Sequence, residues 1–440
     1  MFEYFGSTLD TIVSVLKLVW RFAPLWLPLA LISAFWQQWM AYRRAQYIQS
    51  KEPVLLEIRV PKEVSKSPAA MELALGVFYA TGGEGTWYDK YWKGGVRPWF
   101  SLELVSIEGQ VKFFIWTWKD SVKGIQNSLY AQYPTVEVTE VPDYTLAFMY
   151  DKNKADLYAA EFALTKIDPY PIKTYIDYGL DKDPKEEFKI DPITQVLEYL
   201  GGLGKGEQAW IQILLRAHKK EDPKNVSLLS QFTKPEDVFD VGKKVKEWRE
   251  PTDKWKDDVK TEIASIIKKR KIRGEDPEDN KINLTPVEKD TIEALERSTS
   301  KTGYDVGIRA LYLAEKEYFN NGHKGALNGV LAQYSSGYLN GFKKAFGTSH
   351  DYWFQDPFGK KLPKMKKNMF EAYRLRGYFH APHSGISTQF LFKEKYKRKP
   401  FILNSEELAT IFHFPGGVSE TPTLGRIESR KSEPPINLPS

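Results

Sequence analysis

His380 and His383, two histidines in the run HAPHS, are the first side chains in this sequence whose types and spacing suggest chemistry. They are close enough to share a metal ion, and His413 is a further imidazole nearby in the chain. Pro382 between them argues against a helical pair, and no acidic cluster of metal-ligand spacing accompanies them, so they read as loop histidines. Cysteine is absent, which removes thiolate metal sites, disulfides and a thiol nucleophile. No Gly-x-Ser-x-Gly elbow occurs. Asp257-Asp258 and Glu406-Glu407 are adjacent pairs, and neighbours on a helix point in different directions, so neither is a catalytic dyad. GGLGKGE (201–207) has glycines and a lysine, Lys205, but lacks the GK[ST] ending. It also follows a helical pattern and precedes a strand, whereas a phosphate loop needs the helix N-terminus to face the phosphates. The expectation is a non-enzyme with no cofactor and no metal.

Basic clusters remain. Lys268, Lys269, Arg270, Lys271 and Arg273 end a helical pattern, where cations oppose the macrodipole and need no ligand. A second cluster holds Lys360, Lys361, Lys364, Lys366, Lys367, Arg374 and Arg376. A third holds Lys393, Lys395, Lys397, Arg398 and Lys399, and Tyr373, Tyr378 and Tyr396 interleave with these two. Contact with DNA phosphates and contact with anionic lipid head groups both fit such clusters. The whole chain carries only a mild excess, +6, so nucleic-acid binding does not follow from net charge.

The elements that would position these groups follow from periodicity. VLLEIRV (54–60) reads as a strand, and Ser67-Pro68 opens a helix ended by Gly82-Gly83. WFSLELVSI and VKFFIWTW form a hairpin through Glu108-Gly109. A helix follows Asp120, and TVEVTEV (135–141) is a last strand. The order βαββαβ predicts a ferredoxin-like sandwich over 54–142. The same order returns over 155–347, interrupted by a charged helical insertion at 219–301 in which Thr285 and Glu288 form a capping box. Residues 348–417 are basic and aromatic, and 418–440 are rich in proline and serine and read as extended.

Residues 18–40, LVWRFAPLWLPLALISAFWQQWM, are uncharged from Phe22 to Trp36 and bracketed by tryptophans. The run supplies about the 20 apolar residues a bilayer core needs, and Arg43 and Arg44 follow at once. The expectation is a membrane anchor over 1–45. By the positive-inside tendency it is a single pass of the bacterial inner membrane with the C-terminal domains in the cytoplasm. The expected fold class is thus α+β: an N-terminal transmembrane helix, two ferredoxin-like (βαββαβ) units, the second with a helical insertion, and an extended C-terminal tail.

The most specific stretch is PFILNSEELATIFHFPG (400–416) followed by TPTLGRIESRKSEPPINLP (421–439). It resembles the junction between the non-motor N-terminal region and the motor domain of bacterial type IV secretion and conjugation-type coupling ATPases. No Walker motif accompanies it, so the resemblance implies the non-motor half as a separate chain, with an ATPase acting in trans. It implies an assembly platform of a type IV secretion-like or DNA-translocation apparatus. The alternative is a membrane-tethered nucleic-acid-binding protein, and a second copy of the chain is a further candidate partner. Leu408, Ile411, Phe412 and Phe414 are the apolar docking set of a short helix, set against the chain's own body or against a partner. Lys364, Lys366, Lys367, Arg374, Arg376, Lys395, Lys397, Arg398 and Lys399 are the candidate phosphate or lipid contacts.

Overall fold

A computed structural model describes residues 17, 20–61, 66–148, 150–181, 191–220, 253–271, 284–350, 352, 354, 356–380 and 399–416. They fall in two compact units. One holds the described residues of Met1–Lys51 and Gly82–Arg97; the other holds those of Glu52–Thr81, Pro98–Pro382 and Lys395–Ser440.

The first unit contains helix α1 (Ala23–Gln49). Pro24 sits in its first turn, where a missing N–H costs nothing. The expected anchor is corrected here. Among the described residues no helix is long and apolar enough to cross a membrane. The helix runs on past the apolar stretch through Gln37, Gln38, Arg43 and Arg44. Trp36 and Trp39, read from sequence as interfacial anchors, instead pack on Tyr91 and Trp92, with ring centroids 5.7 and 5.8 Å apart. The single-pass inner-membrane placement falls with the anchor.

In chain order the second unit begins β1 (Pro53–Arg59) and α2 (Pro68–Leu75). A five-residue helix of the first unit, α3 (Trp87–Tyr91), comes next in sequence. The second unit resumes with β2 (Phe100–Ile107), β3 (Gln110–Trp118), α4 (Val122–Gln132), β4 (Glu137–Val141), β5 (Ala155–Leu164), α5 (Ile193–Gly201) and β6 (Glu207–Ala217). It continues with α6 (Lys254–Lys271), α7 (Pro286–Ser300), β7 (Gly303–Glu315), α8 (Asn321–Gly329) and β8 (Phe342–Gly347). It closes with α9 (Lys361–Arg374), β9 (Phe401–Asn404) and α10 (Ser405–Ile411).

Among the described residues all nine strands belong to one sheet, in the order β4-β1-β3-β2-β6-β7-β5-β8, with β9 also on β7. Each half repeats one strand order, β4-β1-β3-β2 and β8-β5-β7-β6. The two expected βαββαβ units share this one sheet: β2 and β6 pair antiparallel from Phe100↔Leu215 to Ile107↔Gln208. Each would otherwise be an exposed apolar edge, a template for unwanted pairing. The outer edge strand β8 shows the usual protection, with Lys343 and Lys344 exposed.

The sheet is buried on both faces, so β2 and β7 read as nearly continuous buried runs. One face carries Leu56, Leu104, Phe113, Ile213 and Ile308, which join side chains of α2, α4, α5, α8 and α10 in a single apolar core. Trp210 points to the other face, where Phe370 and Tyr373 of α9 cover it. The insertion contributes packing: Trp255 and Val259 of α6 and Ala294 and Leu295 of α7 are buried. Residues 221–252 and 272–283 of the insertion lie outside the described residues.

Candidate functional site

The motif-bearing segment at 401–414 is built into the second unit. β7 has thirteen residues. β5 pairs with Ile308–Glu315, and β9 takes the same side at the other end, from Gly303↔Asn404 to Val306↔Phe401. Asn404 then caps α10. Its side chain accepts from the Glu407 N–H at 2.9 Å, and Glu407 accepts in return from the Asn404 N–H at 2.8 Å. The other Glu407 oxygen accepts from the Ile172 N–H at 2.8 Å. Burial pushes the Glu407 carboxyl up to about 8, against the two N–H groups that favour its charge.

A seven-residue helix is too short to stand alone in water. Here it is buried throughout. Leu408, Ile411, Phe412 and Phe414 are all 2 % exposed or less. Phe412 and Phe414 both set their rings edge-on to Phe113, at 5.7 and 5.5 Å. This docking set therefore lies in the chain's own core. The charged neighbours are matched from inside: Arg297 of α7 reaches Glu406 at 3.2 Å. Buried His413 bonds the Ala409 carbonyl at 2.9 Å through Nδ1 and Asp191 at 3.0 Å through Nε2. Burial would drive both groups neutral, but each charge holds the other. Asp191 lies below its ordinary value and His413 above.

The opposite face of the sheet carries a row of polar residues in register: Glu103↔Gln212, Gln212↔Arg309 and Glu161↔Arg309. Arg376 caps this row from the turn after α9, in a left-handed conformation with φ of 49°. Its guanidinium donates to Glu103 at 3.0 and 3.1 Å and also pairs with Asp143. Tyr144 donates to Glu103 at 2.8 Å, and its hydroxyl meets that of Tyr373 at 2.8 Å. Burial works to raise the Asp143 carboxyl, but the Arg376 charge beside it prevails and holds it below its ordinary value. This network ties the α9 segment to the sheet. It also corrects a sequence expectation: Arg376 is buried between two carboxylates and cannot meet a phosphate or a lipid.

The rest of the second basic cluster is partly spent in the same way. Lys366 pairs with Asp156, and Arg374 pairs with Glu371 one turn away at 3.0 Å. Lys364, Lys367 and Lys399 are exposed. Lys395, Lys397 and Arg398 lie outside the described residues, as does His383. The His380 ring lies tilted against Trp99, with centroids 5.6 Å apart, and among the described residues no group of three or more metal-ligating side chains could hold an ion. The GGLGKGE turn is closed by Glu207 accepting from the Gly204 N–H at 2.8 Å and Glu108 accepting from the Gly206 N–H at 2.9 Å. An open cleft of about 530 Å³ lies beside α6 and α7, walled by Lys166, Ile167, Tyr170, Ile266, Lys269 and Thr291. Lys166 already donates to the carbonyl of Tyr338 at 2.8 Å.

One surface was missed from sequence, the loop at 82–97 in the first unit. Its signal was the second glycine pair, Gly94-Gly95, answering Gly82-Gly83 across an aromatic run. Gly94 has φ of 71°, and a Cβ there would lie 2.3 Å from the Arg43 carbonyl carbon. Only glycine lets the loop lie against the backbone of α1.

Residues 42–339 match the family described as Domain of unknown function (DUF8128). No curated protein matches the chain.

Proposed function

The chain belongs to this family of unknown function, and on that premise we propose that it is a non-catalytic platform for an ATPase acting in trans in a DNA-translocation or type IV secretion-like apparatus. The observation that carries the reading is the seating of 401–414. The stretch that resembles the lead-in to a motor domain is a strand of the central sheet followed by a buried helix. A contact made by the chain beyond Gly416 would thus be anchored in the body of the fold rather than on a loop. The competing nucleic-acid reading, as placed on the second basic cluster, is weakened by Arg376, Lys366 and Arg374, which are already matched by carboxylates.

The test is recovery of a candidate motor ATPase with the full chain and with a chain lacking 418–440. The platform reading expects the truncation to lose the ATPase while its melting temperature stays at the full-length value, because the sheet and α10 end before the cut. Equal recovery by both chains would refute it.

A further inference from the structure

We propose that the aromatic and basic surface of the first unit, built from α1 and the loop 82–97, binds single-stranded nucleic acid. The inference goes beyond the platform reading and does not depend on a partner ATPase.

The surface is constructed rather than incidental. Gly83 has φ of 89°, and a Cβ on it would lie 2.2 Å from the Val96 carbonyl oxygen; one on Gly95 would lie 2.1 Å from that of Gly83. These contacts draw the two ends of the loop together. Thr86 caps α3 by accepting from the Asp89 N–H at 3.1 Å. Arg43 of α1 donates to the Trp92 carbonyl at 2.5 Å, and Trp36 and Trp39 meet Tyr91 and Trp92. The loop is thereby fixed on the helix while its rings stay open. Trp87 is 66 % exposed, Tyr88 and Trp92 51 % each, and Trp36 43 %. These four large rings, left in solvent on one fixed surface, are a binding feature, since scattered single exposures need no such scaffold.

Charge selects the ligand. The described residues of this unit carry eight lysines and arginines against two carboxylates, Glu84 and Asp89. Both carboxylates are already engaged, by Arg97 at 3.3 Å and Lys93 at 2.8 Å. Lys90 and Lys93 lie over the rings of Tyr91 and Tyr88 at 5.4 and 5.5 Å, so cations and rings alternate within a few ångströms. An anionic polymer with flat, unpaired rings fits both features: bases stack on tryptophan and tyrosine while phosphates meet lysine and arginine. A duplex keeps its base faces inside. A lipid head-group surface also takes tryptophan and tyrosine, but between Gly85 and Gly94 the loop has no leucine, isoleucine, valine or methionine to insert beneath them. Leu31, Ile32 and Phe35 are exposed on α1 close to Trp36, so the vesicle assay is the arm that separates the two ligands.

The experiment is fluorescence anisotropy of a labelled oligothymidylate with the full chain at low salt, with duplex DNA as competitor. Anionic phosphatidylglycerol vesicles are assayed in parallel. The proposal expects saturable binding to the single strand, weak competition by duplex, and about tenfold or greater weakening in Trp87→Ala, as loss of one base–ring stack implies. Trp87→Phe keeps a ring and should retain most of the affinity. Arg44→Ala with Lys90→Ala should reduce the salt slope by roughly 1.4, at about 0.7 per phosphate contact on a single strand. Trp87 is exposed, so circular dichroism should find these variants folded. No binding by the full chain, equal binding by Trp87→Ala, or binding of vesicles without the oligonucleotide would each overturn the proposal. The two readings fail separately: Trp87→Ala should leave ATPase recovery intact, and removal of 418–440 should leave oligonucleotide binding intact.

Discussion

The two aromatic segments at opposite ends of the chain met opposite fates. FILNSEELATIFHF is interleaved with charge, yet every residue of α10 is buried. LPLALISAFWQQW is uninterrupted by charge, yet Leu31, Ile32, Phe35 and Trp36 remain exposed. Apolar content therefore did not decide burial. What decided it was a vacant partner: β7 extends beyond β5, and the free stretch of its edge accepts β9, which carries α10 into the core behind it. The carboxyls of α10 come along because each has partners inside, Arg297 for Glu406 and two backbone N–H groups for Glu407, although burial still raises both above their ordinary values. The first helix meets a loop of aromatic and basic residues that covers only part of one side.

The largest effect should come from the buried member of this pair. Phe412→Ala removes a ring that packs edge-on to Phe113 and should cost about 3–5 kcal/mol. A fall of that size in the urea unfolding free energy of the full chain would support the core assignment; an unchanged value would place the helix in an interface instead.

A smaller effect follows from pH; in and around the C-terminal segment it involves His413, Glu407 and Glu406, all raised, and Asp191, lowered. His413 is raised above its ordinary value of 6.5, so its contribution is complete below that pH and is lost as pH climbs through the folded value. Glu407, raised from 4.5 to about 8, acts in the same direction: its contribution is full below 4.5 and declines as pH rises through 8. Asp191, held below its ordinary value of 3.8, acts oppositely, and its contribution fades only as pH falls through that depressed value. The urea midpoint should therefore decline from pH 6 to pH 9, and Glu407→Gln should flatten the decline even if its absolute stability is lower. An unaltered slope in that variant would remove Glu407 from the account.

The smallest effect is expected on the first unit. Trp87→Ala should change the unfolding free energy by no more than about 0.5 kcal/mol, as for surface substitutions generally, while changing oligonucleotide binding. A loss of several kcal/mol would mean that the ring is a packing residue, and the contrast between the two ends would disappear.

Much of the local structure was legible because short-range chemistry dictates it. The hairpin at Glu108-Gly109 appears with both residues at positive φ, 52° and 83°, as a two-residue turn matched to strand twist requires. The capping box at Thr285 and Glu288 is present, and the alternation of Val306, Ile308 and Ala310 sets their faces in β7. Long-range pairing was not legible. The β2–β6 join uses two strands that look alike from sequence, and nothing local says which edge meets which. The same holds for charge. Arg376 and Lys364 read as members of one basic cluster, but only the fold brings Glu103 and Asp143, more than two hundred residues away, to Arg376 and leaves Lys364 in solvent. The anchor failed for a related reason. A run of apolar residues specifies that a helix has an apolar surface, whereas its length beside Arg43 and Arg44 and its contacts with the 82–97 loop decide what that surface meets. Sequence by itself thus determined the elements, their turns and caps, and the alternation of each strand. Tertiary structure decided which edges pair, which charges are spent and which rings stay open, because those depend on groups that only folding makes neighbours.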